Sequence, residues 1–533
     1  METTKKITNP EIPKMYYSSS RCILALILTL LMSFASHAQF ITTWKTDNPG
    51  ISQDNQITVP GKGTYKIAWQ EVGNARNKGT VKGQNTTTVT FPKPGIYQIS
   101  ISGGLQQIKF KESREGDNLK ILTINQWGNI AWKTMKKAFA WCKNLNCIAT
   151  DAPDLSRVKS LYAMFINCTK FNGKIGHWNT SNITDMSRMF LLAESFNQPI
   201  GKWNTSKVIS MSQMFQIATT FNQPIGQWNT SQVTDMSNMF FDAKSFNQPI
   251  GQWNTSNVTN MDGMFYQAKT FNQPIGKWNT SQVTDMNFMF FEALAFNQPI
   301  GKWNTSKLVN MRSIFAGAKS FNQPIGQWNT SKVTDMRQVF EDAKSFNQPI
   351  GQWNTNNVIY MGNMFAGASS FNQPIGKWNI SKVISTSYLF TGADAFNQPI
   401  GKWNTSNITD MSQMFAGASS FNQPIGKWNT NNVTNMRGMF AGAKVFNQSI
   451  GSWNTSNVTN MSWMFSDAVS FNHPIEEWNT SKVTNMSYMF YKAYRFNQPI
   501  GQWDVSNVTN VIWMFKKALK FKQNLKHWKQ LKK

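Results

Sequence analysis

Lysine stands immediately before tryptophan at Lys202, Lys277, Lys302, Lys377, Lys402 and Lys427, always in the same local text, "GKWN". A row of ammonium groups at a fixed interval is the chemistry of an anion-binding strip, suited to acidic polysaccharide or nucleic acid. A second lysine row lies five residues further on, at Lys207, Lys307, Lys332, Lys382 and Lys482. Aromatic residues form another set, Phe241, Tyr266, Phe288, Phe291, Trp463, Tyr488, Tyr491 and Trp513, at positions where most copies of the surrounding text carry small or polar residues. Exposed aromatics in a stripe are anchors for a protein partner. The competing readings are a solvated basic face and scattered surface hydrophobes. Catalysis has little to work with. His177, His473 and His527 are far apart, and no Cys/His metal spacing, Gly-rich phosphate loop or Ser-His-Asp order stands out. The sequence is therefore read as non-enzymatic, with no cofactor and no metal.

These residues recur because the text recurs. "FNQPIGQWNTSQVTDMSNMFFDAKS" (221–245) is followed at once by "FNQPIGQWNTSNVTNMDGMFYQAKT" (246–270). Tryptophan returns every 25 residues from Trp178 to Trp528 without an insertion, and phenylalanine keeps the same interval from Phe165 to Phe515. A strict period implies stacked, nearly identical turns, each covering its neighbour's open face. In the copy at 221–245, Val233, Met236, Phe240, Ala243 and the following Phe246 are three or four apart, which predicts a short helix. Thr234 or Asp235 would cap it, Lys244 suits its negative end, and Pro249 stops it. "IGQWN" (225–229) predicts a short strand, with Gly226 bending the chain so that Ile225 and Trp228 both face inward. The Asn222 and Asn229 columns predict amide ladders from copy to copy. The "NTS" and "NVT" sequons follow from the repeat and are not expected to be glycosylated.

The chain has 533 residues, 40% of them apolar, with 53 Lys plus Arg against 26 Asp plus Glu and a net charge of +27. Such a balance favours anionic partners or a soluble positive surface. An apolar run from Cys22 to about Phe34, preceded by Arg21 and followed by "SHA", predicts an export signal over 1–38, cleaved before Gln39. Translation from Met15 is an alternative. The remaining chain keeps a charge of +25 and no second apolar run of spanning length. Three cysteines stay, Cys142, Cys147 and Cys168. Cys142 and Cys168 hold the same place in successive copies, which leaves a bridge and free buried thiols both open.

Before the repeats, "TYKIAW" (64–69), "TTTVTF" (86–91) and "GIYQISISG" (95–103) alternate and predict a small β-sandwich over 39–112. Residues 113–149 read as a transition and N-terminal cap, with a worn repeat in "MKKAFAWCKNL" (135–145), then 150–515 as the array and 516–533 as a basic C-terminal cap.

The openings "FITTWKTDNPG" and "PGIYQISISG" resemble the PKD-like module of Bacteroidota surface proteins, although "WQEVGN" (69–74) replaces that family's acidic turn. The repeat, "SxVTxMSxMFxxAxSFNQPIGxWNTS", resembles the BspA-like or mycoplasma-type (DUF285) repeat over about 135–533. The resemblance implies a leucine-rich-repeat-like α/β solenoid, one short strand and one short helix per turn. It also implies a secreted or cell-surface bacterial location, with adhesion to host or neighbouring-cell surface and matrix proteins. Cys22 opens the apolar run instead of ending it, so the lipid-attachment cysteine of lipoprotein members is not matched, nor is a wall-sorting or C-terminal secretion segment evident. Acidic glycans remain a further candidate partner. A passive surface coat and an electrostatic binder of anionic polysaccharide or nucleic acid are the alternative roles.

Overall fold

The computed structural model describes residues 39–528 apart from Arg114. The signal expected over 1–38 and the last residues of the expected basic cap, among them Lys529, Lys532 and Lys533, lie outside the described residues.

Alternating apolar residues build the N-terminal part. Its strands are β1 (Phe40–Lys45), β2 (Gln56–Glu71), β3 (Asn74–Thr90), β4 (Ile96–Gly103), β5 (Gln107–Ile108), β6 (Ile121–Gln126) and β7 (Asn146–Cys147). They form one mixed sheet in the order β3-β2-β4-β1-β6-β7, with β5 on β2, where two sheets were expected. The long β2–β3 ribbon accounts for the difference. Its register slips between Pro60 and Thr64, and Gly63 sits there at φ 114°. A side chain on Gly63 would strike the Gly104 carbonyl at 2.1 Å. The ribbon can therefore bend where β5 crosses it, and one sheet supplies both faces of the core.

A buried ion pair ties the 47–58 loop to this sheet. The Lys120 ammonium donates to the carbonyls of Ser52 (3.0 Å), Gln53 (2.9 Å) and Gln56 (3.0 Å) and to Ser52 Oγ (2.8 Å). Asp117, 3.9 Å from it, accepts from the amides of Ile51, Ser52 and Thr58. Burial holds the Lys120 ammonium below the ordinary lysine range, and the Asp117 carboxylate opposes that shift.

The sheet passes directly into the array. β6 pairs in parallel with β7, Ala131 bridges Asp154, and single parallel bridges then follow at 25-residue steps from Ser160↔Asp185 to Asn485↔Asn510. Aromatic contact runs across the junction, from Trp127 to Phe139 (5.9 Å) and from Phe139 to Phe165 (5.8 Å).

Each coil contains no helix, and no helix occurs among the described residues. The expected α/β solenoid, with a helix in every turn, is therefore incorrect. In the copy at 221–245, Asn238 (φ 54°) and Asp242 (φ 51°) adopt the left-handed conformation, which ends any helix. Amides of Met239, Ala243 and Phe246 close tight turns on the carbonyls three residues back. Between them, the amides of Met236, Asn238, Phe240 and Asp242 donate across to Asn260, Asp262, Met264 and Tyr266 of the next coil, at 2.6–3.1 Å. A run of tight turns places inward side chains three and four apart, as a helix does. The spacing alone does not reveal that every second amide leaves the coil. The expected "IGQWN" strand is likewise a turn, closed by Trp228 N–H on the Ile225 carbonyl (3.2 Å), and this brings both side chains inward.

Like residues stack on like. Phe240 lies 5.7 Å from Phe265, Phe246 lies 6.0 Å from Phe271, and Trp228 lies 6.4 Å from Trp253. The nearest ring to Phe240 is nevertheless Phe246 of its own run, at 3.9 Å. From Trp203 to Trp503 each indole nitrogen of the column is satisfied by the preceding coil, as in Trp228 Nε1–H to the Ile200 carbonyl (3.1 Å), whereas those of Trp178 and Trp528 at the two ends are buried without a partner among the described residues. The buried Thr230 hydroxyl donates to the Asn254 carbonyl of the coil that follows (2.9 Å). The Asn222 column does form a ladder, its Oδ1 accepting from the Asn247 amide and from Gln248 Nε2, both at 3.0 Å. The Asn229 column does not. Its Oδ1 caps the amide of Ser231 two residues on (3.0 Å) and faces solvent. The Asp235 column acts similarly on Ser237 and caps a turn, not a helix.

Cys142, Cys147 and Cys168 are all free and buried. Cys168 Sγ donates to the Phe139 carbonyl (2.9 Å), so no bridge to Cys142 forms. Burial raises all three thiols, Cys147 to about 11. A water-soluble disulfide reagent at mildly alkaline pH is accordingly expected to leave these three thiols unreacted until the protein is denatured. Rapid modification of Cys147 in the folded protein would contradict this.

Candidate functional site

Two places in each coil differ from copy to copy, and both lie in the run of tight turns. The first is a left-handed position occupied by Asn238, Gly263, Phe288, Trp463, Tyr488 and Trp513 in their respective coils, with φ between 52° and 63°. The second lies three residues on, at Phe241, Tyr266, Phe291 and Tyr491, where a turn joins the two, as in Phe291 N–H to the Phe288 carbonyl (3.0 Å). A left-handed backbone under a bulky side chain costs about 1–2 kcal/mol. Glycine occupies the same position at Gly263 and Gly438.

The structure gathers the eight aromatics into two clusters. Phe241, Tyr266 and Phe291 stack face to face at 4.2 and 4.5 Å, and Phe288 packs against Tyr266 (6.3 Å) and Phe291 (6.1 Å). The Arg312 guanidinium lies 5.7 Å from the Phe288 ring. All four rings are half-buried by one another and by neighbouring coils. Burial raises the Tyr266 phenol above its ordinary range, with Glu292 and Asp242 adding to the shift. In the second cluster Trp463 stacks on Tyr488 at 3.9 Å, and Tyr488 meets Trp513 (5.3 Å) and Tyr491 (5.7 Å). Lys516 sits 3.5 Å over Trp513 and Lys492 sits 5.0 Å over Tyr491. Trp463 and Trp513 are the open members, 37% and 50% exposed. Between the clusters the first place carries Ser313, Gln338, Asn363, Tyr388, Gln413 and Gly438, and the second is alanine at Ala316, Ala366, Ala416 and Ala441. The eight aromatics thus form two compact patches, not a continuous stripe, with Tyr388 standing alone at the first place between them.

The first lysine row is exposed throughout. Lys277 and Lys302 line one groove of about 1020 Å³, and Lys377, Lys402 and Lys427 line a second of about 870 Å³. Lys202 lines neither. The grooves were not foreseen in the sequence. Their signal was the Pro and Gly columns two residues apart, which also read simply as turns. The second lysine row is engaged differently. Lys207, Lys382 and Lys482 donate to Asn182, Asn357 and Asn457 of the preceding coils at 2.7–3.2 Å. Among the described residues no group of three or more His, Cys, Asp or Glu side chains is placed to hold a metal ion.

The family model described as "Mycoplasma protein of unknown function, DUF285" matches residues 133–252, 219–326, 310–427, 373–468 and 412–528 in five overlapping segments. The chain belongs to the DUF285 family. The matched segments begin within the N-terminal cap and run through every coil that carries the aromatic clusters and the grooves. No curated protein and no solved structure matches this DUF285 chain. The variable residues of the aromatic clusters are those that the shared repeat leaves open, whereas the Pro, Gly and Trp columns around the grooves are part of the repeat itself.

Proposed function

We propose that this DUF285 chain is an exported, non-enzymatic, BspA-like surface protein, with its N-terminal sheet as a PKD-like module, that adheres to surface or matrix proteins of a host or neighbouring cell. One observation carries the reading. On an array whose core columns barely vary, Phe288, Trp463, Tyr488 and Trp513 are held at positive φ and clustered with Phe241, Tyr266, Phe291 and Tyr491. Other coils build the same left-handed turn with Gly, Asn, Gln or Ser, so the aromatic side chains are not required by the backbone, which argues for a role other than folding. Trp and Tyr are also the residues that dominate protein-binding hot spots.

The test is capture of extracellular matrix proteins by the purified chain from Gln39 onward, compared with Phe288→Asn/Phe291→Ser and Trp463→Asn/Trp513→Asn. Asparagine occupies the same left-handed position at Asn238 and Asn363, so these variants keep the fold. Capture is expected to survive high salt and to fall at least about tenfold in one or both variants. Equal capture by all forms rejects the aromatic clusters as the site. No capture under any condition leaves the passive coat.

A further inference from the structure

The two grooves run across successive coils on a separate stretch of the repeat from the aromatic clusters. Their floor is the proline and glycine of "QPIG". Gly226, Gly251, Gly276 and Gly301 line the first, and Gly351, Gly376, Gly401 and Gly426 the second, each beside prolines of the same columns. The glycines are imposed by packing. A Cβ on Gly276 would lie 2.3 Å from the Pro299 carbonyl oxygen, and the same clash recurs along the column. Close approach of the coils thereby leaves a bare channel, floored by backbone and proline rings. Its rim is the residue before each tryptophan, which is either lysine or glutamine from Gln227 to Lys427. No carboxylate lines either groove. Among the described residues Lys277, Lys302, Lys377, Lys402 and Lys427 have neither an ion-pair nor a side-chain hydrogen-bond partner, although the lysines of the second row largely do. Past Lys427 the pattern is broken for two coils before "QPIGQW" (498–503) restores it. Ser449 replaces the proline, Ser452 the rim residue, and in the next coil Glu476 and Glu477 replace the glycine and the rim residue.

We infer that this channel binds a linear acidic polysaccharide, one carrying carboxylates or sulfates on only some of its sugar units. Three features select that chemistry. The rim mixes ammonium groups with amides, which suits a chain of charged and neutral polar units better than one charged at every step. The floor offers flat C–H surface to the apolar faces of sugar rings, but no aromatic platform on which nucleic-acid bases would stack. An extended channel with one donor-bearing side chain per coil suits a polymer laid along the stack. The paired carboxylates Glu476 and Glu477 set an electrostatic end to the track.

This inference does not rest on the protein-adhesion reading, and its test keeps the two apart. Hyaluronan, unsulfated chondroitin, neutral dextran and single-stranded poly(dT) are the probes, applied to the chain from Gln39 onward. One variant changes Lys277, Lys302, Lys377, Lys402 and Lys427 to Gln, the residue already found at Gln327 and Gln352 of that column. A charge-matched variant changes Lys207, Lys307, Lys332, Lys382 and Lys482 to Gln, the residue at Gln232 and Gln282 of theirs. Binding of hyaluronan or unsulfated chondroitin is expected to weaken at least about tenfold in the first variant and much less in the second. Gln327→Glu/Gln352→Glu, which carries the sign of Glu477 into the track, should weaken it as well. The aromatic variants should leave it unchanged. Equal loss in the two lysine variants would reduce the effect to net charge and overturn the proposal. So would failure to bind either acidic polysaccharide, equal binding of dextran, or tighter, groove-dependent binding of poly(dT).

Discussion

Lys120→Met is expected to destabilise the N-terminal sheet by about 3–5 kcal/mol, because it strips the counter-charge from a carboxylate that stays buried. The Lys120 and Asp117 side chains are 1% and 0% exposed. The ammonium gathers three carbonyls of the 47–58 loop, and Asp117 gathers amides from the same loop. Methionine has similar reach but no donor, so the carbonyls lose their partner and Asp117 keeps an uncompensated charge. Denaturant unfolding should show the loss. The further loss on adding Asp117→Asn should be smaller than Asp117→Asn causes alone, since the two groups are coupled. A Lys120→Met effect below about 1 kcal/mol, the range of an exposed pair, would contradict this account.

Gly351→Ala is expected to open the stack between two coils. A Cβ there would lie 2.4 Å from the Pro374 carbonyl oxygen. The coils cannot simply spread, because Trp378 Nε1–H to the Ile350 carbonyl (3.2 Å) and the Asn372 amide to Asn347 Oδ1 (2.9 Å) clamp either side. Overpacking of this kind costs about 1–3 kcal/mol, and more where backbone must move. In an array whose coils touch only their neighbours, the damage should be local. Hydrogen exchange should quicken at the coils around Gly351 and Gly376 and leave the coils near Trp178 unaffected. Unchanged exchange and unchanged melting would mean that the glycine column is not needed for close approach.

The sequence was most legible where identity of residue decides packing. The 25-residue period places Phe240 over Phe265 and Trp228 over Trp253, and it marks Val233, Met236 and Ala243 as core. It was least legible where two backbones share one side-chain spacing. Met236, Phe240 and Ala243 would face inward from a helix or from consecutive tight turns, and only the destination of the amides between them distinguishes the two. A local hint was present in glycine at Gly317, Gly367, Gly392, Gly417 and Gly442, one column that a helix would disfavour and a left-handed residue welcomes. The Lys120–Asp117 pair left no trace in the sequence, since charged residues in a connecting segment read as solvated. Of the candidate site, the aromatic residues were identifiable as departures from the repeat. Their division into two patches depended on which coils carry them and on stacking between coils. The lysine row was visible, and the channel it borders was not, because Pro and Gly serve as turn residues in most chains.

The central claim is that each coil abandons helical geometry at two left-handed residues and sends alternate amides to its neighbour. Gln413, at φ 52°, tests this most directly, by the difference in stability between Gln413→Gly and Gln413→Ala. Both variants remove the same side-chain contacts, so the comparison isolates the backbone. A left-handed residue predicts that the glycine form is the more stable, by about 1 kcal/mol. A helix at this place would make the alanine form the more stable by about the same amount, and that result would contradict the account.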